Sequence, residues 1–283
     1  MNKFLKTFIK VAAILIGVII LLAALKIYGH ILENPDPHKM VTQYFDRDDK
    51  KFYGITSGVA TSYLLPCRDG YLLIDTGYQS DYSKFAQALN QIKIDLKDIK
   101  YLLLTHSHDD HCGFAAELIK NSGARIIVSK GGMSNLENGK LTVRGKTINR
   151  RIYILTSIYN LFKHRDYKFP PVSFTKNDVI INEDDLKFLK SIGINGIVIN
   201  TPGHTNDSVS VVMEDGRAFC GDAAMNLLNF AGADYRPIFY TDLQLVFESW
   251  KKILKKGAKK IFPAHGMPFD SSILENNLAK YCK

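Results

Sequence analysis

Three imidazoles and a carboxylate fall within six consecutive positions, as His106, His108, Asp110 and His111 in the run Thr-His-Ser-His-Asp-Asp-His-Cys-Gly at residues 105–113. Imidazole nitrogen and carboxylate oxygen together suit zinc, and a loop of alternating donors can wrap around an ion. A solvated turn has no structural reason to concentrate histidine in this way. Further candidates recur downstream: His204 within Thr-Pro-Gly-His-Thr, Asp222 after Gly221, and His265 within Pro-Ala-His-Gly.

The elements that must position these groups can be read from periodicity. Residues 98–104 end in an apolar run that reads as a buried strand, and residues 114–120 have the spacing of a short helix, so the first ligands sit on a strand-to-helix loop. Residues 58–66 and 70–75 flank Cys67-Arg-Asp-Gly70 as a hairpin. Residues 83–92 read as a helix, and 124–129, 178–182 and 194–200 as strands. The last of these feeds the turn that presents His204, where Gly203 permits close backbone approach and Pro202 stiffens the loop. Residues 218–221 form the strand that ends at Asp222. Residues 241–256 are the clearest helix, with Leu243, Val246, Phe247, Trp250, Ile253 and Leu254 on one face, Thr241 and Gln244 as a capping box, and Gly257 as the stop. A short strand at 261–262 delivers His265.

Taken in order, His106-x-His108-x-Asp110-His111, Thr201-Pro-Gly-His204-Thr, Gly221-Asp222 and Pro263-Ala-His265-Gly resemble the metallo-β-lactamase superfamily of metal-dependent hydrolases, over residues 59–269. The resemblance implies an α/β fold, an αββα four-layer sandwich, and two divalent metal ions of which zinc is the expected identity. One ion is implied at His106, His108 and His204, the other at Asp110, His111 and His265, with Asp222 bridging them. A hydroxide shared by the two ions would attack an electrophilic carbonyl or phosphorus. Asp110 would orient that nucleophile and pass its proton to the leaving group while serving as a ligand. Asp75, in Asp75-Thr-Gly77, is implied to orient a ligand imidazole without touching metal; its residues alone read as an ordinary strand-end turn.

The resemblance also narrows the substrate. Asp222 stands where antibiotic-hydrolysing members with a cysteine ligand have sulfur, so β-lactams are not expected. With 18 residues after His265, the helical glutathione-binding domain of glyoxalase-type thioesterases is not expected either. Acyl-homoserine lactonases place a tyrosine three residues after the bridging aspartate, which here is Met225; Tyr235 or Tyr240 could substitute. Flavin-dependent di-iron relatives change the first ligand motif. An ester, lactone or phosphodiester remains, and a metal-binding or regulatory module without turnover is the alternative class.

Composition allows one large domain: 283 residues, 46% hydrophobic, with no low-complexity tract. The formal charge of +9 suits an anionic substrate or a membrane surface, and no nucleic-acid recognition motif is present. Residues 11–25 are uncharged and almost wholly aliphatic, and Lys3, Lys6 and Lys10 precede them. Such a stretch is a signal peptide or a transmembrane anchor, with a helix buried in the soluble domain as the alternative. Residues 8–28 would span about 31 Å at 1.5 Å per residue, close to the ~30 Å hydrocarbon core. Leu22 and Leu25 interrupt Ala23 and Ala24, so no small-x-small cleavage site follows. Residues 1–29 are therefore expected to be an uncleaved N-terminal transmembrane helix, 30–50 a tether, and 51–283 the hydrolase domain. The basic flank places the chain in the cell membrane as a single-pass protein with an extracytoplasmic catalytic domain.

Between His111 and His204 lies an insertion, around 131–178. Its residues 147–167 carry Ile148, Ile152, Leu155, Ile158, Tyr159 and Phe162 at helical spacing between basic ends. It could cap the cleft and read a small-molecule or lipid-like substrate, meet a lipid surface, or simply pack on the core. Cys112 and Cys220 each flank a proposed ligand and could pair or remain free thiols; neither is expected to ligate metal.

Overall fold

The computed structural model describes residues 40–141, 145–162 and 167–282, with scattered positions between 5 and 22. Contacts divide the chain into residues Met1–His38 and Lys39–Lys283. In the first unit the described positions are helical, and Phe8, Ile14 and Leu15 are exposed. No helix among the described residues is long and apolar enough to cross a membrane. Much of the expected anchor, and residues 30–39 of the tether, lie outside the described residues.

The second unit starts earlier than the sequence suggests. Val41–Phe45 (β1), inside the stretch read as a tether, pairs antiparallel with Lys51–Ser57 (β2). The cause is aromatic: Tyr44 stacks on Phe52 at 5.1 Å and meets Phe262 edge-on at 5.5 Å, contacts invisible to local composition. Ala60–Cys67 (β3) and Gly70–Ile74 (β4) form the expected hairpin, in register from Tyr63 opposite Ile74 to Cys67 opposite Gly70. Then come Tyr82–Gln91 (α1), Ile99–Leu103 (β5), the single turn Asp109–Cys112 (α2), Ala115–Ser122 (α3) and Arg125–Ser129 (β6). Met133–Asn138 (α4), the two-residue strand Lys146–Thr147 (β7) and Arg150–Phe162 (α5) make up the insertion, which returns to the sheet at Val179–Ile181 (β8). The sheet order is β1-β2-β3-β4-β5-β6-β8, antiparallel as far as β4 and parallel beyond.

After Phe188–Ser191 (α6), a second sheet is built from Gly196–Asn200 (β9), Val209–Met213 (β10), Arg217–Gly221 (β11), Lys260–Pro263 (β13) and Phe269–Asp270 (β14), in the order β14-β13-β11-β10-β9. Between β11 and β13 lie Phe239–Tyr240 (β12), which pairs with β7, and Leu243–Lys255 (α7); Ser272–Tyr281 (α8) closes the chain.

Alternation along the strands generates four layers. Leu65, Leu72, Ile74 and Leu103 of the first sheet meet Val198, Val211, Phe219 and Phe262 of the second in a central core. Their neighbours Leu64, Leu73 and Leu102 point the other way, onto Phe85, Leu89, Phe114 and Leu118 of the α1 and α3 side. On the outer face of the second sheet, Ile199, Val212 and Ala218 pack against Val246, Phe247, Trp250 and Ile253 of α7. Each large side chain buried in these cores contributes about 1.5–3 kcal/mol of transfer free energy. The order is therefore helix, sheet, sheet, helix.

One local expectation changes. The cap of α7 is Asp242, whose carboxylate accepts from the backbone N–H groups of Gln244 and Leu245 at 2.9 and 3.1 Å. Thr241 instead donates its hydroxyl to the Gly203 carbonyl at 3.0 Å, which ties the start of the helix to the His204 turn. An aspartate one position nearer the helix reaches its free N–H groups with a full charge.

Candidate metal centre

Every candidate site residue lies just past the carboxyl end of a strand or in the turn beyond it. Asp75 follows β4, His106 to His111 follow β5, His204 follows β9, Asp222 follows β11 and His265 follows β13. Buried strands fix the backbone up to these points, and the loops, free of ladder pairing, turn side chains inward. The helices then lock the loops in place: Trp250 of α7 donates its indole N–H to the Ala223 carbonyl at 2.6 Å, one residue past Asp222.

Two donor groups converge. His106, His108, His204 and Asp222 each bring one donor atom within 4.8 Å of the others, and Asp110, His111 and His265 form a second set. His204 Nε2 lies 3.2 Å from His106 Nε2 and 3.1 Å from His108 Nδ1. The two oxygens of Asp222 face opposite groups, Oδ2 toward His204 Nε2 at 3.4 Å, and Oδ1 toward His111 Nε2 and His265 Nε2, both at 3.3 Å. Asp110 stands on the open side, 3.6 Å from His265 and 3.9 Å from His111, with 14% of its side chain exposed against 4% for Asp222.

The rear nitrogens of four of the imidazoles hold the tautomer that such a site requires. His204 Nδ1 donates to the Phe239 carbonyl and His265 Nδ1 to the Val59 carbonyl, each at 2.7 Å. His111 Nδ1 is 2.9 Å from Asp75 Oδ2. His106 Nδ1 reaches Thr105 Oγ1 at 3.1 Å, and that hydroxyl passes its proton to Asp75 Oδ2 at 2.7 Å. Donation at Nδ1 leaves the Nε2 lone pairs directed into the cluster, while His108 presents Nδ1. Asp75 thus grips both ends of the ligand segment after β5, His111 at one end and Thr105 at the other, whose N–H also donates to its Oδ1 at 2.7 Å. Its backbone sits at φ 61°, a left-handed conformation that aspartate tolerates better than most residues.

The electrostatics betray a site built for cations. Burial and then neighbouring imidazoles hold His106 well below its usual range, and burial with His204 takes His108 down to about 3. Burial also opposes the charge on His265, yet the Asp222 and Asp110 carboxylates carry it up to about 9. His111 is likewise raised, against burial, by Asp222 and Asp75. His111 Nε2 and Asp222 Oδ1 are fully buried without a hydrogen-bond partner. A lone pair and a carboxylate oxygen left unsatisfied side by side, deep in a protein, fit a bound metal ion.

All of the residues singled out in the sequence as ligands are brought together. Tyr235 and Tyr240 are not among them: both pack on the α7 side of the second sheet, Tyr235 with its ring 4.6 Å from Phe269. Asp207, three residues after His204, accepts from Ser107 N at 2.9 Å between the two ligands His106 and His108. Tyr78 escaped notice altogether. Its hydroxyl donates to Asp110 Oδ2 at 3.3 Å, and its loop is pinned by Thr76, whose N–H and hydroxyl both donate to the His111 carbonyl. The only local signal was its place three residues after Asp75. Cys112 and Cys220 are buried free thiols; burial pushes both upward, Cys220 to about 12, so neither is a ready thiolate.

A four-layer αββα sandwich with histidines and aspartates gathered where its strands end defines an α/β metal-binding protein of hydrolase-like fold. Residues 55–265 match the metallo-beta-lactamase superfamily, and the chain belongs to it. The superfamily consists mostly of metal-dependent hydrolases. A metallo-beta-lactamase fold-containing protein of Sulfurisphaera tokodaii, ST1585, is 26% identical over 223 residues, covering 78% of this chain and 77% of the relative. The probable metallo-hydrolase YflN of Bacillus subtilis is 22% identical over 246 residues, covering 82% and 89%. Among solved structures, that of ST1585 superposes with a TM-score of 0.57 at 22% identity over 82% of this chain and 86% of its own. The Rm3 metallo-beta-lactamase does so with a TM-score of 0.57 at 20% identity, over 83% and 81%. At these identities the structures share the fold.

Proposed function

We propose that the chain is a binuclear metal-dependent hydrolase of an ester, lactone or phosphodiester, with zinc as its metal. The observation that carries this reading is Asp222, a buried carboxylate whose two oxygens face two separate nitrogen groups. His106, His108 and His204 would hold one ion and Asp110, His111 and His265 the other, with Asp222 between them. When bound, the ions acidify water toward neutral pH and offset negative charge that develops on the substrate. The chain's own residues do the rest. Asp75, Thr105, Phe239 and Val59 hold the imidazole rings in one tautomer and orientation. Asp110, the more exposed carboxylate, takes up a proton and hands it to the leaving group, and the Tyr78 hydroxyl holds Asp110 in line for both. Aspartate in place of sulfur at position 222 argues against β-lactams.

The test is hydrolysis of matched phosphodiester, lactone and ester panels by the zinc-loaded full-length protein, with Asp110→Ala run beside it. Turnover falling at least ~100-fold in the variant, with the zinc assigned to His106, His108 and His204 still bound, is the expected result. Equal activity in the variant would remove Asp110 from the chemistry, and no activity in either would leave a metal-binding module. Residues 1–29 are proposed as a single membrane anchor, supported by the uncharged run at 11–25 and the exposed Phe8, Ile14 and Leu15. Protease accessibility of the catalytic domain from outside sealed cells tests it.

A further inference from the structure

Almost the whole net charge of the molecule sits in one segment. Residues 138–177 contain nine lysines and arginines against a single acid, Asp166, in a chain whose formal charge is +9. Among their described members, Lys140, Lys146, Arg150, Arg151 and Lys168 are exposed. The centre of this segment is α5, whose inward face buries Ile152 against Ala231 and Ala233, with Ile148, Leu155, Leu228 and Ile238 around them. Its outward face should then be polar, as for any helix lying on a core. Instead Tyr153 is 59% and Ile154 46% exposed; Tyr159, two turns beyond Ile152 on the inward stripe, is 45% exposed, and Phe230, in the loop on which α5 rests, is 46% exposed. Partly exposed aromatic and aliphatic side chains beside arginines are the pattern of a helix lying in a bilayer interface, its apolar groups in the headgroup boundary and its cations on anionic lipid.

We infer that α5 and the Phe230 loop form a docking face for an anionic lipid bilayer. Lipid fits better than a nucleic acid because the exposed aliphatic Ile154 gains an apolar environment at an acyl boundary and none from a stacked base. The face is also joined to the metal centre. Ile148 N donates to the Ile238 carbonyl at 3.1 Å, and β7 pairs with β12 at Phe239, whose carbonyl holds His204 Nδ1. Asn149 spans the Ala231 and Gly232 carbonyls, both at 3.1 Å, tying the root of α5 to the same loop. A bilayer against α5 would therefore lie at the side of the cluster from which Phe239 supports its ligand. The inference stands apart from the hydrolase reading, since lipid contact needs no turnover.

The experiment places tryptophan at Tyr153 or at Phe230 in full-length protein bound to vesicles of brominated phosphatidylcholine, with and without phosphatidylglycerol. The native Trp250 is fully buried and supplies a constant background. Blue-shifted, bromine-quenched emission from both Tyr153→Trp and Phe230→Trp is expected on the anionic vesicles. Quenching should be several-fold weaker without phosphatidylglycerol, and in Arg150→Glu/Arg151→Glu. Leu186→Trp, exposed but outside this face, should remain unquenched. Reading two positions on separate segments guards against one substitution that misfolds. Emission at both positions that stays solvent-like on anionic vesicles overturns the inference. So does a shift produced by single-stranded oligonucleotide in place of vesicles, or one that grows with protein concentration alone and so reports a second copy of the chain.

Discussion

Replacing Asp75 with asparagine keeps volume, tolerates the left-handed backbone at this position and removes one charge, so it isolates what the carboxylate does for the cluster. Three donors converge on it: Thr105 N on Oδ1, and Thr105 Oγ1 and His111 Nδ1 on Oδ2, at 2.7, 2.7 and 2.9 Å. An amide offers one acceptor oxygen, and its NH2 must take the other place. Set at Oδ1, the NH2 faces the Thr105 N–H and leaves a buried donor unmet, which costs about 1–3 kcal/mol. Set at Oδ2, it faces His111 Nδ1, which must then accept; the ring proton moves to Nε2, where a metal needs a lone pair. Either arrangement weakens the metal-binding state. Partners behind a ligating histidine are worth about 10–100-fold in metal affinity, or roughly 1.4–2.7 kcal/mol. Asp75→Asn should therefore remain folded, lose about 1–3 kcal/mol in urea denaturation, and bind zinc 10–100-fold more weakly in competition with a chromophoric chelator. A folded Asp75→Asn protein with unchanged zinc affinity would refute the reasoning.

Three further outcomes are expected. Gly221 has φ 52°, and a Cβ there would stand 2.3 Å from Thr105 Oγ1, so Gly221→Ala should lose about 2–5 kcal/mol from backbone strain and overpacking and shed metal at the same time; a thermal melt matching the native protein would contradict this. Without metal, stability should peak near neutral pH. His106, His108 and His204 have lowered values and oppose folding increasingly as pH falls below about 6.5, whereas raised His111 and His265 support folding at low pH and lose that support from about 6.5 toward 9. Urea titrations in chelator across pH 5 to 9 check it, and stability still rising between pH 7 and 9 would exclude it. Tyr78→Phe should lower turnover about 10-fold with zinc affinity within 3-fold of the parent, because the hydroxyl donates to one oxygen of Asp110; equal losses in both would make it a structural residue.

Local pattern was enough for much of this molecule. The apolar runs at β4, β5, β9 and α7 must be buried wherever they lie, and the ligands cluster by sequence because β5 ends in a loop that carries four of them. The hairpin at Cys67 to Gly70 is written in its own turn residues. Less was legible where partners are distant in sequence. The Val41–Phe45 strand has little periodicity and exists because Tyr44 finds Phe52 and Phe262. Asp242 displaced Thr241 as the cap of α7 because Thr241 had a second partner, the Gly203 carbonyl, 38 residues away.

The sequence by itself determined which atoms can bind a cation, since donor type and spacing along one loop are properties of neighbouring residues. Only the tertiary structure decided which nitrogen each imidazole presents, that Asp75 ties Thr105 to His111 across the ligand segment, that Tyr78 meets Asp110, and that the basic insertion roots itself beside His204. Each depends on contacts between segments brought together by the sheets, and no local periodicity records which carbonyl will lie 2.7 Å behind a ring.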